Sequence, residues 1–533
     1  MKKSYKKILA ALAVLAALPL TIASAYGEHM PAEEMAKAKK LYFDRCAGCH
    51  GTLRKGATGP NITDENMKKK GYTSEIINAF ITNGTPGGMP SFGVGELNPD
   101  EIKLVASFLM EPPPAPPELG LAEIKESWKL IVPEAQRPKK PEHNRNWKNF
   151  FGVILRDAGK AAIIDGDTKE LVGIVNTGFA VHILRSSASG RYMYSIGRDG
   201  KATIIDLWTK TPTMVAEVKV GSDARSIDSS KYKGFEDKYA IIGDYWPPQF
   251  IILDGQTLEP MKVVSTRSMT YDTNEYHPEP RVAAIIASHI APEWMLNIKE
   301  TGYIWIVDYS DIKNLRITQL EAERFLHDGG WTSDKRHFLM AANMRNRIVV
   351  VDTKKKNVPA IVDVGTKPHP GRGANWDDAK FGPVWATPHL GEPALAVVGT
   401  DPEGHKANAW KMVKKVPVLG AGGLFVKTHP KSDKIWVDST LDPDPEKTRS
   451  LTILNKKNLD EPFKVIKVAD HGRVTHLEYN ATGDEVWVSV WDKKGEIVVY
   501  DDKTMKEKKR ITGDWLVTPT GKFNVTNTVG DIY

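Results

Sequence analysis

A small all-α domain followed by an all-β propeller of eight blades is the fold that the sequence predicts, and three observations predict it. A β-branched strand ending in Asp, or a close substitute, recurs eight times between positions 162 and 501. A Cys-x-x-Cys-His motif, with a helical stretch before and after it, falls within the first 111 residues. Between the two regions runs Pro112-Pro113-Pro114-Ala115-Pro116-Pro117, which cannot continue a helix and reads as a stiff linker. The length agrees: 533 residues are too many for one ordinary core and suit a small domain plus a large repeat structure. With 41% hydrophobic and 26% charged residues, wholesale disorder is excluded.

Residues 1–25 read as a secretory signal peptide. Lys2, Lys3, Lys6 and Lys7 precede an apolar run from Ile8 to Ile22, and Ala23-Ser24-Ala25 offers a small-residue cleavage site. A membrane anchor is the competing reading. Pro19 and Thr21 shorten the clean apolar stretch below the roughly 20 residues that a spanning helix needs. Cleavage removes four Lys and leaves 69 basic against 66 acidic residues, a formal +3 in place of +7. That balance calls for no nucleic acid, and no later segment has an apolar run of spanning length. The expected location is the periplasm.

Residues 26–111 read as a cytochrome c domain. Both cysteines of the chain fall in Cys46-Ala47-Gly48-Cys49-His50. In such a motif the two thiols attach a haem through thioether bonds and the adjacent His becomes an iron ligand. A zinc site would want two more Cys or His at matched spacing, and a thiol-exchange motif has no need of the His. The stretch Pro31 to Arg45 is a plausible amphipathic helix. For the sixth ligand, Met89 stands on the Gly/Pro loop Asn83–Pro90, where a thioether reaches iron with no helix in the way. Met67 in a Lys-rich stretch and Met110 at the end of the helix Pro99–Met110 suit the role less. His/Met ligation leaves no open position, so this haem passes electrons and performs no chemistry.

After the linker and connecting segment, 112–145, comes the propeller, 146–533. The repeated strands end at Asp165, Asp206, Asp254, Asp308, Asp352, Gly399, Asn455 and Asp501, spaced 41, 48, 54, 44, 47, 56 and 46 residues apart. Turn, strand, short hairpin and strand at that period is a propeller blade signature. Tandem β-sandwiches would need about 100 residues each. A ring of sheets leaves a central channel suited to a planar cofactor.

Within the repeats three histidines stand in unusual settings. His182 lies on an apolar strand, and His327 and His369 fall at loop positions, where functional groups concentrate. Taken singly, each is still better read as a surface or core residue. Arg156, Arg198 and Arg345 precede repeated strands at similar offsets. If some of them converge on the channel they imply a polyanionic ligand, against the plainer reading of solvated surface arginines.

These residues, taken with Gly84–Pro90, Leu155–Gly159, Ala180-Val181-His182, Gly197–Gly200, His277–Arg281, Phe325–Gly330, Pro368–Asn375 and Leu516–Val525, resemble the cytochrome cd1 nitrite reductases over nearly the whole chain. The resemblance implies covalent haem c on Cys46 and Cys49, with His50 and Met89 as axial ligands, and non-covalent haem d1 in the propeller. His182 matches the proximal ligand of the d1 iron, and His327 and His369 match the catalytic pair above the substrate. Arg156, Arg198, Arg225, Tyr245 and Arg372 fall in segments resembling the d1 pocket. The implied reaction is one-electron reduction of nitrite to nitric oxide and water, with His327 and His369 acting as imidazolium. The electron donor would be a small soluble c-type cytochrome or cupredoxin, and the assembly a homodimer. Oxygen reduction stays open as a side activity. The arm before the haem motif is short, 20 residues between Ala25 and Cys46, which puts any contribution from Tyr26 or His29 in doubt. A paralogue acting as dehydrogenase or carrier in haem d1 biosynthesis, and a quinoprotein dehydrogenase, are the competing readings. The presence of both His327 and His369 favours the reductase.

Overall fold

A computed structural model of the chain describes residues 30–85, 87–93, 96–114 and 118–533. The signal-peptide stretch and the arm with Tyr26 and His29 lie outside them. The chain divides into two units at residue 116.

In the first unit the helix Ala32–Arg45 has Glu33 and Glu34 in its first turn and Arg45 in its last, each charge matched to the helix dipole. The helix Pro99–Met110 starts with a reciprocal cap. The Asn98 side chain accepts from the Glu101 N–H, and the Glu101 carboxylate accepts from the Asn98 N–H. The two helices meet through Tyr42 and Phe108, whose rings pack edge-on at 5.8 Å, and the buried Arg54 lies 4.0 Å over Phe108.

The second unit is a ring of eight antiparallel sheets. The innermost strands of blades 1 to 8 are Pro519–Asn524, Val181–Ser186, Asp223–Ser229, Val282–Ala287, Leu326–Trp331, Ala374–Asp378, Val426–Lys427 and Arg473–Tyr479. All eight copies of the repeated strand occupy the third position of their blades. The repeat has a local cause. At Asp165, Asp206, Asp254, Asp308, Asp352, Asn455 and Asp501 the side chain accepts a backbone N–H two or three residues on and closes the hairpin to the outermost strand. Gly399 lacks a side chain, and Asp401 two residues later accepts the equivalent bonds.

Ring closure is non-local. Blade 1 takes its inner strand from the far end of the chain, where Pro519–Asn524 pairs with Phe150–Leu155. Phe151 then stacks on Trp487 of blade 8 at 4.0 Å. The expected connector 112–145 is largely part of this unit. Ile124 is fully buried, Lys129–Leu130 adds a fifth strand to blade 2, and the Trp128 indole donates to the Thr257 carbonyl. These apolar side chains have blades 2 and 3 to pack on, so the segment does not hang free.

Candidate active site

The first unit holds its motif on one helical turn, Ala47–His50, with Cys46 at its start. Both cysteines are free. Burial, followed by the neighbouring Cys49, pushes the Cys46 thiol up to about 12, while Cys49 is exposed. The His50 Nδ1 lies 2.8 Å from the Pro60 carbonyl. A carbonyl only accepts, so Nδ1 carries the proton and Nε2 is left as the ligand atom. Burial lowers the His50 pKa and keeps the ring neutral, as ligation requires. The residues therefore fit a covalent haem with an axial His. Met89 is half-buried on a turn closed by the Thr85 N–H donating to the Met89 carbonyl. Gly84 is required there: its φ is +74°, and a Cβ would come 2.6 Å from that carbonyl.

In the propeller, six of the eight inner strands carry a bulge. The bulged residues are Thr520 and Gly521 in blade 1, His182 in blade 2, Arg225 in blade 3, Ala283 and Ala284 in blade 4, His327 and Asp328 in blade 5, and His476 in blade 8. Every one of them lines a central cavity of about 360 Å³. A bulge re-aims a side chain that strict alternation would commit to a neighbouring blade, and so assembles the cavity from strands that are otherwise core. The apolar wall includes Leu424, Phe425 and Phe523.

His182 opens to the cavity, and among the described residues its ring has no hydrogen-bond partner. Its pKa is driven well below the usual value by desolvation, then by Arg225, His327, Arg198 and Arg156. A neutral, unpartnered imidazole is what an axial ligand needs. His327 is not the loop residue expected, because it lies within the inner strand of blade 5. His369 does precede a strand. The two rings stand 4.9 Å apart, with Asp328 between them: Oδ1 is 2.9 Å from His327 Nδ1 and Oδ2 is 3.5 Å from His369 Nδ1. His369 Nδ1 also donates to the Leu424 carbonyl at 3.1 Å. Both rings thus keep their proton on Nδ1 and turn Nε2 into the atom available to a ligand.

The imidazolium form that the resemblance implies is disfavoured at His327. Burial holds it down to about 4, against the upward pull of Asp328. Burial also opposes ionisation of Asp328, but the two imidazoles override it and bring its carboxyl to about 2.

Arg156, Arg198, Arg225 and Arg372 all line the cavity. Arg198 and Arg225 share the buried Asp223 at 3.1 and 2.9 Å, Arg156 meets Asp157 at 2.7 Å, and Arg372 donates to the Gly329 carbonyl at 3.2 Å. Tyr245 does not line it. Its buried ring lies behind Arg225 at 4.7 Å, with Arg281 also over it at 4.9 Å, so it braces Arg225. Arg345 points away, beside Glu323 and Asp272 at 3.6 and 3.9 Å. A neutral histidine free to ligate, converging guanidinium groups and an apolar wall fit a planar macrocycle bearing carboxylates.

The Cytochrome D1 heme domain family matches residues 145–528, and the family of cbb3-type cytochrome c oxidase subunit III matches residues 33–109. A nitrite reductase of Stutzerimonas stutzeri is 49% identical over 99% of this chain and 99% of its own. The chain belongs to the cytochrome cd1 nitrite reductase family. A dihydro-heme d1 dehydrogenase of Pseudomonas aeruginosa is 25% identical over 93% of this chain and 94% of its own. A solved dihydro-heme d1 dehydrogenase in complex with DHE covers 93% of this chain and 100% of its own, with TM-score 0.71 and 25% identity.

As a cytochrome cd1 nitrite reductase the chain carries haem c and haem d1. The eight-bladed ring and the small helical domain are those expected. Sequence reasoning named the three histidines of the d1 cavity and passed over Asp328, Arg185 and His476. Asp328 lies within the quoted motif Phe325–Gly330, so a signal was present. Its pairing with both imidazoles is visible only once blades 5 and 6 are placed side by side.

Proposed function

We propose that the propeller cavity reduces nitrite to nitric oxide and water in the periplasm, with His327 and His369 as the catalytic pair. The observation that carries this reading is the pair itself, two imidazoles 4.9 Å apart that share one carboxylate and line the same cavity as His182. Haem d1, when bound, supplies the iron that takes nitrite and passes it an electron. His182 is the chain's ligand to that iron. Arg156, Arg198, Arg225 and Arg372 bind the carboxylates of the macrocycle, and Tyr245 keeps Arg225 in place. Cys46 and Cys49 carry haem c, with His50 and Met89 as its ligands.

Removing one oxygen of nitrite as water consumes two protons with the electron. His327 and His369 each present Nε2 to the cavity and can bind a proton there, the Asp328 carboxylate stabilising the resulting imidazolium. A small soluble donor, a c-type cytochrome or a cupredoxin, reduces haem c, and the working form is a homodimer. Among the described residues no helix is long and apolar enough to cross a membrane, in keeping with a soluble donor.

The second reading is a d1-binding dehydrogenase of haem d1 biosynthesis, which the 25% identical relative favours. Anaerobic turnover of nitrite with a reduced donor separates the two. Nitric oxide formation supports the reductase, and its absence from a sample replete in both haems sinks it.

A further inference from the structure

A second carboxylate stands behind the histidine pair, and no role described so far uses it. Asp438 follows the second strand of blade 7, Lys434–Val437, and is fully buried. Its Oδ1 accepts the N–H groups of Leu424 and Phe425 at 2.7 and 3.0 Å, and its Oδ2 accepts that of His476 at 3.2 Å. The bulge of blade 8, between Thr475 and Leu477, takes His476 out of the ladder and frees that N–H. The Asp438 N–H returns a bond to the Phe425 carbonyl at 3.2 Å. Burial raises the Asp438 carboxyl to about 6, against the bonds from Phe425, Leu424 and His476 that lower it, so the group is a carboxylate above neutral pH.

The Phe425 N–H and the Leu424 carbonyl belong to one peptide group. That group is planar and trans, so its N–H and C=O point in opposite directions. On one side Asp438 Oδ1 takes the N–H, and on the other the carbonyl accepts from His369 Nδ1 at 3.1 Å. A single peptide thus joins a carboxylate to an imidazole. A charged acceptor on the N–H polarises the peptide and strengthens its carbonyl as an acceptor. A peptide turned over would aim its N–H at His369 and set two donors face to face. The Phe425 ring, placed by the same bonds, stands edge-on to His369 at 6.5 Å and packs on His476 at 4.5 Å. Asp328 Oδ2 is the more distant acceptor of His369, at 3.5 Å, and Asp328 lies closer to His327, at 2.9 Å. His327 therefore meets its carboxylate directly, and His369 meets a second one through a peptide.

We propose that Asp438 is the positioning residue of His369, fixing the Leu424–Phe425 peptide so that its carbonyl holds the Nδ1 proton and Nε2 faces the cavity. The effect on turnover rests on His369 being one of the catalytic pair; the geometry does not.

Asp438→Asn in the full chain loaded with both haems tests it. The amide matches the carboxylate in shape, loses its charge and turns an NH2 toward an N–H group that Asp438 serves. Nitrite turnover should fall about 10-fold or more, the scale on which hydrogen-bond partners behind a functional histidine act, with the d1 absorption kept. In a His369→Ala background the same substitution should cost less than about 2-fold, because its effect passes through the missing ring. An equal loss in both backgrounds would leave Asp438 a structural role only and overturn the proposal, as would wild-type turnover of Asp438→Asn. The crystal structure of His369→Ala supplies a second reading that holds even where Asp438→Asn does not fold. The Leu424 carbonyl should still point at the vacated position, with both bonds to Asp438 Oδ1 intact. A turned peptide would show that His369 holds the peptide in place, and would overturn the proposal. Wild-type turnover of His369→Ala would end the catalytic reading of that residue and leave the crystal structure to decide the positioning.

Discussion

The Oδ1 atom of Asp328 lies 2.9 Å from Nδ1 of His327, its neighbour on the same bulge of blade 5. The contact sets the tautomer of His327, and it is the chief upward influence on a ring that burial nevertheless brings down to about 4. In wild type the His327 imidazolium forms only as pH falls toward that value, so with His327 in its proposed catalytic role turnover should rise on acidification from neutrality. Asp328→Asn removes the carboxylate and lowers the ring further. The rise should move to lower pH, with haem d1 still bound. A pH–rate profile on d1-replete protein measures it, and an unchanged profile would show that Asp328 does not act through His327.

His327→Ala and His369→Ala each remove one protonatable Nε2 from the cavity. Positioned acid–base groups contribute about 100-fold or more. Each variant should lose roughly that factor in nitrite turnover while keeping the d1 absorption, because His182 and the arginines are untouched. Wild-type turnover in both would sink the catalytic assignment.

Gly59 packs against His50, the proposed ligand of haem c. A Cβ there would stand 2.8 Å from His50 Cε1 and 3.0 Å from Nδ1. Gly59→Ala should push the ring off the Pro60 carbonyl. Losing that hydrogen bond makes the imidazole a poorer donor and raises the reduction potential of haem c. Redox titration of the haem c band checks the direction, and d1 binding should not change.

Arg281 and Glu300 form a buried ion pair at 2.6 Å behind Tyr245. Burial alone would raise the Glu300 carboxyl, and Arg281 overrides it to keep the pKa below the usual 4.5. A carboxyl lowered in the folded state contributes stability above pH 4.5 that is lost as pH falls through its folded value. Arg281→Met strands the carboxylate and should cost about 3–5 kcal/mol at neutral pH. Denaturant unfolding should show the loss shrinking on acidification.

The sequence by itself determined the haem c motif, the two main helices of the first unit and the eight repeated strands. Each of these rests on local chemistry: a fixed Cys-x-x-Cys-His spacing, an Asn98–Glu101 cap, and an Asp whose carboxylate folds back on its own turn. The histidines of the propeller became legible only through long motifs shared with a family. Tertiary structure alone decided the rest. Which residues face the channel depends on bulges, and a bulge is a mismatch between two strands that neither strand announces. The inner strand of blade 1 arrives from Pro519–Asn524, and the pairing of Asp328 with His369 spans two blades.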